Sequence, residues 1–469
     1  MHVFKYSGPE FNPFGDEGLI VGGEPGPWVA PVATGPLAAR LALPGSKSLT
    51  NRELVLSAIA HGPSTLRAPL RSRDTALMIQ ALRALGTDIV ELPGDSPFGP
   101  DLLITPGELS GGTSIDCGLA GTVMRFLPPI AALALGPVAF DGDESARRRP
   151  MRTTIDSLRA LGVDVSDDGR GALPFSLYAT GSVAGGEIEI DASASSQFVS
   201  GLLLAGARFT NGLTLRHIGA GLPSLAHIDM TIATLRRRGV IVQNPEPGLW
   251  VVPPGPIAGI DVTIEPDLSN AGPFLAAALV AGGSVTVTGW PTSTTQVGAE
   301  LATILTDMGG EVTLVETGEG VGDLTVTGTG AIRGIRLDNA SELAPTIAVL
   351  AALATVEDSE TVLTGIAHLR GHETDRLAAL AAEINALGGD VTETDDGLII
   401  RARALHGGLW HSYEDHRMAT AGAIIGLAVD GVTVDDIATT AKTLPQFAEL
   451  WTGSLLGLRS RSADPLGLI

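Results

Sequence analysis

Two apolar patterns interleave along the chain. The first places leucines or their equivalents three and four apart, ends on glycine and runs into a β-branched strand. It occurs in "MIQALRALGTDIVE", "TIDSLRALGVDVSD", "TIATLRRRGVIVQ", "ELATILTDMGGEVTLVE" and "LAAEINALGGDVTET". That spacing predicts amphipathic helices with glycine C-caps, each leading into a strand. The second pattern is a short polar start followed by a helix that is apolar nearly all round. Its six copies are "SKSLTNRELVLSAIA", "LAGTVMRFLPPIAALAL", "SASSQFVSGLLLAG", "DLSNAGPFLAAALVAGG", "ASELAPTIAVLAALA" and "YEDHRMATAGAIIGLAV".

With Lys47, Thr122, Ser196, Asn270, Leu343 and Arg417 as markers, the copies recur at intervals of 75, 74, 74, 73 and 74 residues. A period this regular predicts six units of helix, strand, helix and strand, an α/β architecture. Helices apolar on every side belong at the centre of a domain. Six would overfill one core, so three per lobe are expected. The chain then crosses between lobes near 44–46 and returns near 264–267. Lobe one is expected at 28–45 plus 266–458 and lobe two at 46–265. Residues 1–27 and 459–469 read as tails.

Composition narrows the function. Lys and Arg number 30 against 52 Asp and Glu, a net charge of −22, which disfavours nucleic acid and anionic membranes as partners. The longest apolar runs are about a dozen residues, short of a bilayer span. The N-terminal stretch has no basic-then-apolar signal, and the single cysteine, Cys117, suits a reducing cytoplasm.

On so acidic a chain, clustered cations stand out. Lys47, Ser48 and Arg52, then Gly121, Thr122 and Arg125, then Ser195, Ser196 and Gln197 open three of the apolar helices. Asp267 and Asn270, Glu342, and Asp415, His416 and Arg417 open the other three. Hydroxyls and carboxylates there are also ordinary caps, and "TNRE" (Thr50–Glu53) reads as a capping box. Cations near a helix N-terminus oppose its dipole, and a bound anion resolves that conflict. Further cations flank the second helix set. Arg147, Arg148 and Arg149 precede Pro150 at an expected helix start. "HETDR" carries His372, Glu373, Asp375 and Arg376, and Lys442 precedes Pro445 at the expected start of the last helix. Convergence of these groups on one anion-binding cleft is expected.

Three other motif readings are weaker. Ser46 separates Gly45 from Lys47, which breaks a nucleotide-binding P-loop. His368 and His372 lack a third zinc ligand. Cys117 has no neighbouring base and reads as a small buried residue.

The six motifs, in order over about residues 30–455, resemble the 5-enolpyruvylshikimate-3-phosphate synthase family. The resemblance implies two lobes, each an inside-out α/β barrel of three βαβαββ units closing over substrate. It implies transfer of the enolpyruvyl group of phosphoenolpyruvate to the 5-hydroxyl of shikimate 3-phosphate, without metal or cofactor, by a cytoplasmic monomer. Lys47, Ser48 and Arg52 would hold shikimate 3-phosphate, with Lys47 also facing phosphoenolpyruvate. Ser195, Ser196 and Ser224 would bind the shikimate phosphate, and Gln197 would lie near the ring and phosphoenolpyruvate. Gly121, Arg149, Arg376, Arg417 and Lys442 would bind phosphoenolpyruvate. Glu342 would accept the 5-hydroxyl proton. Glu373 would protonate the methylene carbon, a role that calls for a raised pKa.

Four positions depart from the family pattern. The base is Glu342 where Asp is frequent, and Leu119 replaces the Asn of "NAGT". His227 stands where a Tyr often contacts shikimate 3-phosphate. His368 and His372 occupy positions where Asn and Lys frequently bind it, which predicts an affinity that varies between pH 6 and 8. The sister enzyme, UDP-N-acetylglucosamine enolpyruvyl transferase, shares the fold. It usually has Lys-Asn at the Lys47-Ser48 position and a loop cysteine that Cys117 does not match. A noncatalytic anion-binding scaffold would need neither Glu342 nor Glu373.

Overall fold

A computed structural model describes residues 26–458; the expected tails, apart from Gly26 and Pro27, lie outside these. Six small sheets repeat one plan. Two parallel strands flank a helix, and an antiparallel strand pairs with the second of them. Five sheets add a fourth strand antiparallel to the third. In the second unit, Thr113–Asp116 runs parallel to Leu135–Asp141 around the helix Gly121–Ala131. Phe175–Thr180 and then Asp164–Ser166 complete that sheet.

The apolar helices fill two cores. One cluster runs from Leu54 to Ile257, and the other joins Ala30–Leu43 to Leu268–Leu455. The six helices begin at Lys47, Gly121, Gln197, Leu268, Ala344 and His416.

Two strands are exchanged between the halves of the chain. Leu37–Leu41 pairs in parallel with Gly283–Pro291, while Asp261–Thr263 returns to pair with Ser64–Arg67. The two crossing segments are bonded to each other. Ser46 N donates to Glu265 O at 2.8 Å and Asp267 N to Pro44 O at 2.9 Å, around a Gly45–Pro266 bridge. A Cβ on Gly45 would lie 2.4 Å from the Ala68 carbonyl oxygen, so this close approach requires glycine.

Several local expectations differ from what forms. The cap of the first apolar helix is Ser46, whose side chain accepts from Leu49 N. Thr50 and Glu53 lie inside the helix and serve tertiary contacts instead, because their side chains face buried partners. Thr50 Oγ1 accepts from Leu70 N. Pro150 precedes its helix, which starts at Arg152 after Met151. The sixth unit closes with the short strand Trp28–Val29, giving three strands. Its last helix is a tight turn over Ile437–Lys442 followed by Phe447–Glu449 and a wide turn Leu450–Leu455. Pro445, which has no N–H to give, sits between the tight turn and the short helix.

The Lys47 helix is anchored by a buried ion pair. Glu53 Oε2 accepts from Arg238 Nε and NH2 at 2.9 and 2.7 Å, and Oε1 from Arg237 at 2.8 Å. Arg238 also donates to Ser57, Ser64 and Ala258 O. Glu53→Ala leaves a guanidinium uncompensated in the core and is expected to cost about 3–5 kcal/mol. Denaturant melts of the two chains check this.

Candidate functional site

All six apolar helices point their N-termini toward the gap between the two cores. A helix start exposes unpaired N–H groups and partial positive charge. The cavity there is lined from one side by Lys47, Ser48, Gly121, Arg125, Arg149, Ser195, Gln197 and His227. Asp267, Ser269, Glu342, His372, Glu373, Arg376, His416 and Arg417 face it from the other. Its volume is about 90 Å³, room for a few waters, so drug-sized ligands require the halves to part.

Five expected residues lie behind this wall. The Arg52 guanidinium spends three of its hydrogens on Thr231 Oγ1, Ser48 O and His227 O at 2.8–2.9 Å and stacks over Phe126. Burial pulls its pKa down to about 9, which leaves it charged at neutral pH. Ser196 is buried as the cap position of its helix. Ser224 stands behind His227, and His368 behind His372, ring centroids 5.7 Å apart. Lys442 is also set back, lining an adjoining opening with Leu119. Arg52 and Arg125 sit in second turns, so among the cleft cations Lys47, Arg376 and Arg417 are the ones in a first turn, opposing the dipole directly.

The cations differ in how they are paired. Lys47 Nζ lies 3.5 Å from Asp74. Arg376 grips Asp415 with Nε and NH2 at 2.7 and 3.2 Å and reaches Glu373 at 2.9 Å. Lys442 bonds Glu373 at 2.6 Å and the Leu119 carbonyl at 3.2 Å, which joins the two sides of the cleft. Arg417 lies 3.4 Å from Glu342. Among the described residues, Arg125 and Arg149 form no ion pair. The Nε of each is buried without a partner, and Arg149 NH1 touches only Leu119 O at 3.3 Å. A Cβ on Gly121 would come within 2.8 Å of Arg125 NH1 and 3.2 Å of Arg149 NH2. Arg125 NH1 donates to Gly121 O at 3.3 Å and Gln197 Oε1 at 3.4 Å, so of the two it is Arg149 that the absent side chain leaves open to a ligand. Of the three consecutive arginines, only Arg149 turns inward; Arg147 pairs with Asp141 near the surface and Arg148 is exposed.

Both carboxylates are ionised in this state. Burial raises Glu373, but Lys442, Arg376 and Arg149 outweigh it and hold the carboxyl well below the usual range. The raised pKa expected of it is absent here, because two cations touch it directly. Glu342 behaves alike: burial raises it, and Arg417, His227 and a short bond from Ser269 Oγ lower it further. His368, His372 and His416 are neutral. Burial, then Arg376, pushes His368 down to about 4 and His372 well below the ordinary imidazole range. Burial, then Arg417, does the same to His416. The expected titration of His368 and His372 between pH 6 and 8 is therefore overturned for this state.

Asp74 and Ser269 were not anticipated. Each occupies the first turn of a helix, where sequence alone makes an acid or a hydroxyl look like a cap. Among the described residues no His, Cys, Asp and Glu group has metal-binding geometry, and no helix is long and apolar enough to cross a membrane. Cys117 is buried, and burial raises its thiol pKa.

Two repeat-built lobes thus bring six helix starts, several guanidiniums and two carboxylates around one cleft suited to anionic ligands. The chain belongs to the EPSP synthase (3-phosphoshikimate 1-carboxyvinyltransferase) family, whose profile matches residues 32–451. It is 58% identical over 432 residues to the 3-phosphoshikimate 1-carboxyvinyltransferase of Kocuria rhizophila, covering 90% of this chain and 95% of that one. Two EPSP synthase structures from Acinetobacter baumannii superpose with TM-scores of 0.74 and 0.73 at 25% identity. They cover 92% and 91% of this chain, and 98% of each of theirs.

The three neutral histidines, His368, His372 and His416, make stability acid-sensitive. Their folded pKa values lie below the unfolded value near 6.5, so unfolding takes up protons, and stability is lost as pH falls below about 6.5. Each histidine contributes up to about 1.4 kcal/mol per pH unit. Calorimetric melts from pH 7.5 to 5 are expected to show a falling Tm; a flat Tm contradicts the assignment.

Proposed function

We infer that this chain transfers the enolpyruvyl group of phosphoenolpyruvate to the 5-hydroxyl of shikimate 3-phosphate. The products are 5-enolpyruvylshikimate 3-phosphate and phosphate, at the sixth step of the shikimate pathway. The observation that carries this reading is the cleft, where Arg125 and Arg149, neither in an ion pair among the described residues, face Glu342 and Glu373. Two anionic substrates need several cations, and arginine grips phosphate and carboxylate bidentately. The tetrahedral intermediate is noncovalent, so exclusion of water replaces a nucleophile.

The lobes are assigned as 28–45 plus 266–458 and 46–265, in keeping with the two cores. Lys47, Ser48, Ser195, Ser196, Ser224 and Gln197 are assigned to shikimate 3-phosphate, with Arg52, His368 and His372 supporting them from behind or beside. Lys47, Gly121, Arg149, Gln197, Arg376, Arg417 and Lys442 are assigned to phosphoenolpyruvate. Glu342 is the base toward the 5-hydroxyl, and Glu373 the acid toward the methylene carbon. Phosphoenolpyruvate competes for Arg376 and Lys442. Once they turn to the substrate, burial acts unopposed on Glu373 and raises its proton affinity. The single cysteine and the absence of a spanning helix among the described residues support a cytoplasmic enzyme, and we assign it as a monomer.

Phosphate release with both substrates, and with each omitted in turn, tests the reading. Release is expected only when both are present; release with UDP-N-acetylglucosamine in place of shikimate 3-phosphate contradicts it. Glu342→Gln and Glu373→Gln are each expected to lower kcat by roughly 10²–10⁴. Full turnover in both would indicate a binding scaffold.

A further inference from the structure

His227 bridges the two sides of the cleft. Its Nδ1 lies 2.9 Å from Ser224 Oγ and its Nε2 3.4 Å from Glu342 Oε2. The imidazole is held by its backbone: the His227 carbonyl accepts from Arg52, Ser200 and Thr231. Both ends of the bridge carry strained backbone. Ser224 sits at φ 48°, and Ser341, the residue before Glu342, also at φ 48°. Such conformations cost about 1–3 kcal/mol each and persist where surroundings fix them.

Counting hydrogens assigns directions along this bridge. The Glu342 carboxylate can only accept, so Nε2 carries the ring hydrogen, and Nδ1 accepts from the Ser224 hydroxyl. A phosphate that reaches Ser224 when the halves part is likewise acceptor-only. Three links then lie between two acceptors, and a neutral imidazole and a hydroxyl supply two hydrogens. One link must go without.

We propose that His227 is a positioning residue that couples acceptor binding to the base: phosphate at Ser224 moves the ring hydrogen from Nε2 to Nδ1. The Ser224 hydroxyl turns to the phosphate, and its oxygen accepts from Nδ1–H. Nε2 then faces Glu342 as a bare lone pair. The carboxylate loses a donor and gains a repulsive neighbour, so its proton affinity rises. The ring keeps one hydrogen throughout, exchanging it with water before the lobes close. In the chemical step the 5-hydroxyl O–H bond breaks and its electron pair forms the bond to C2 of phosphoenolpyruvate. The freed proton goes to Glu342, which shares it with Nε2, while the C2=C3 pair takes a proton at C3 from Glu373. That carboxyl bound it from water once phosphoenolpyruvate drew Arg376 and Lys442 away. The hydrogen missing from the bridge is the one the reaction delivers. Thus the base is quiet until its acceptor is seated. His368 and Arg52 also lie near His227 without bonding its ring, and Arg417 faces the other oxygen of Glu342 at 3.4 Å.

The inference rests on the assignment of shikimate 3-phosphate to Ser224. Uniformly ¹⁵N-histidine-labelled protein at pH 8, above the ordinary imidazole range, gives a direct readout of tautomers. Of the nine histidines, His227 is assigned by loss of its signals in His227→Gln. Adding shikimate 3-phosphate to saturation, followed in parallel by calorimetry, is expected to move the hydrogen from Nε2 to Nδ1. An unchanged tautomer, or a doubly protonated ring, in the saturated complex overturns the coupling and leaves the proposed function standing. Failure of shikimate 3-phosphate to bind overturns both. In turnover, His227→Gln is expected to lower kcat on the order of 100-fold, with KM for shikimate 3-phosphate within about threefold. His227→Tyr, whose hydroxyl both donates and accepts, restores part of the rate. A raised KM at unchanged kcat would make His227 a simple binding residue.

Discussion

Everything in the cleft follows from one constraint: charges buried at helix N-termini must be neutralised by something. Lys47 and Arg417 begin helices whose dipoles they oppose. Arg376 and Lys442 are buried beside Glu373 and Asp415. In the free protein these cations are neutralised within their own halves, Lys47 by Asp74, Arg417 by Glu342, and Arg376 and Lys442 by Glu373 and Asp415. Burial of a lone charge is costly, so a ligand that replaces these contacts must offer anions of its own. A substrate pair carrying phosphates and a carboxylate does so.

The same constraint sets proton affinities. Glu373 and Glu342 are held as carboxylates by neighbouring cations and donors, while His372 and His416 are held neutral by burial. Acid–base chemistry therefore begins only when substrates draw those cations away. Closure and catalysis become one event, since Lys442 joins the two sides of the cleft through Glu373 and the Leu119 carbonyl. The crossing at Gly45 and Pro266 supplies the paired connection across which the halves join.

The repeat was legible because core helices leave an uninterrupted apolar run, and the six starts fall where the markers put them, within about three residues. The sixth unit broke the pattern: Pro445 and the short Trp28–Val29 strand give it an irregular end that periodicity does not encode. At the site, residue types were readable but orientations were not. Arg52 and Arg149 look alike in sequence, yet Thr231 and His227 hold the first behind the wall, while the second is left open. Proton affinities were the least legible. A glutamate in "HETDR" carries no sign that Lys442, 69 residues on, will sit 2.6 Å from it.

Infrared difference spectroscopy of Glu373→Gln against the native chain at pH 7 tests the central claim directly. The account predicts that the free protein loses a carboxylate stretch on this substitution and no protonated carboxyl band. A protonated carboxyl band assigned to Glu373 in the free protein would contradict it.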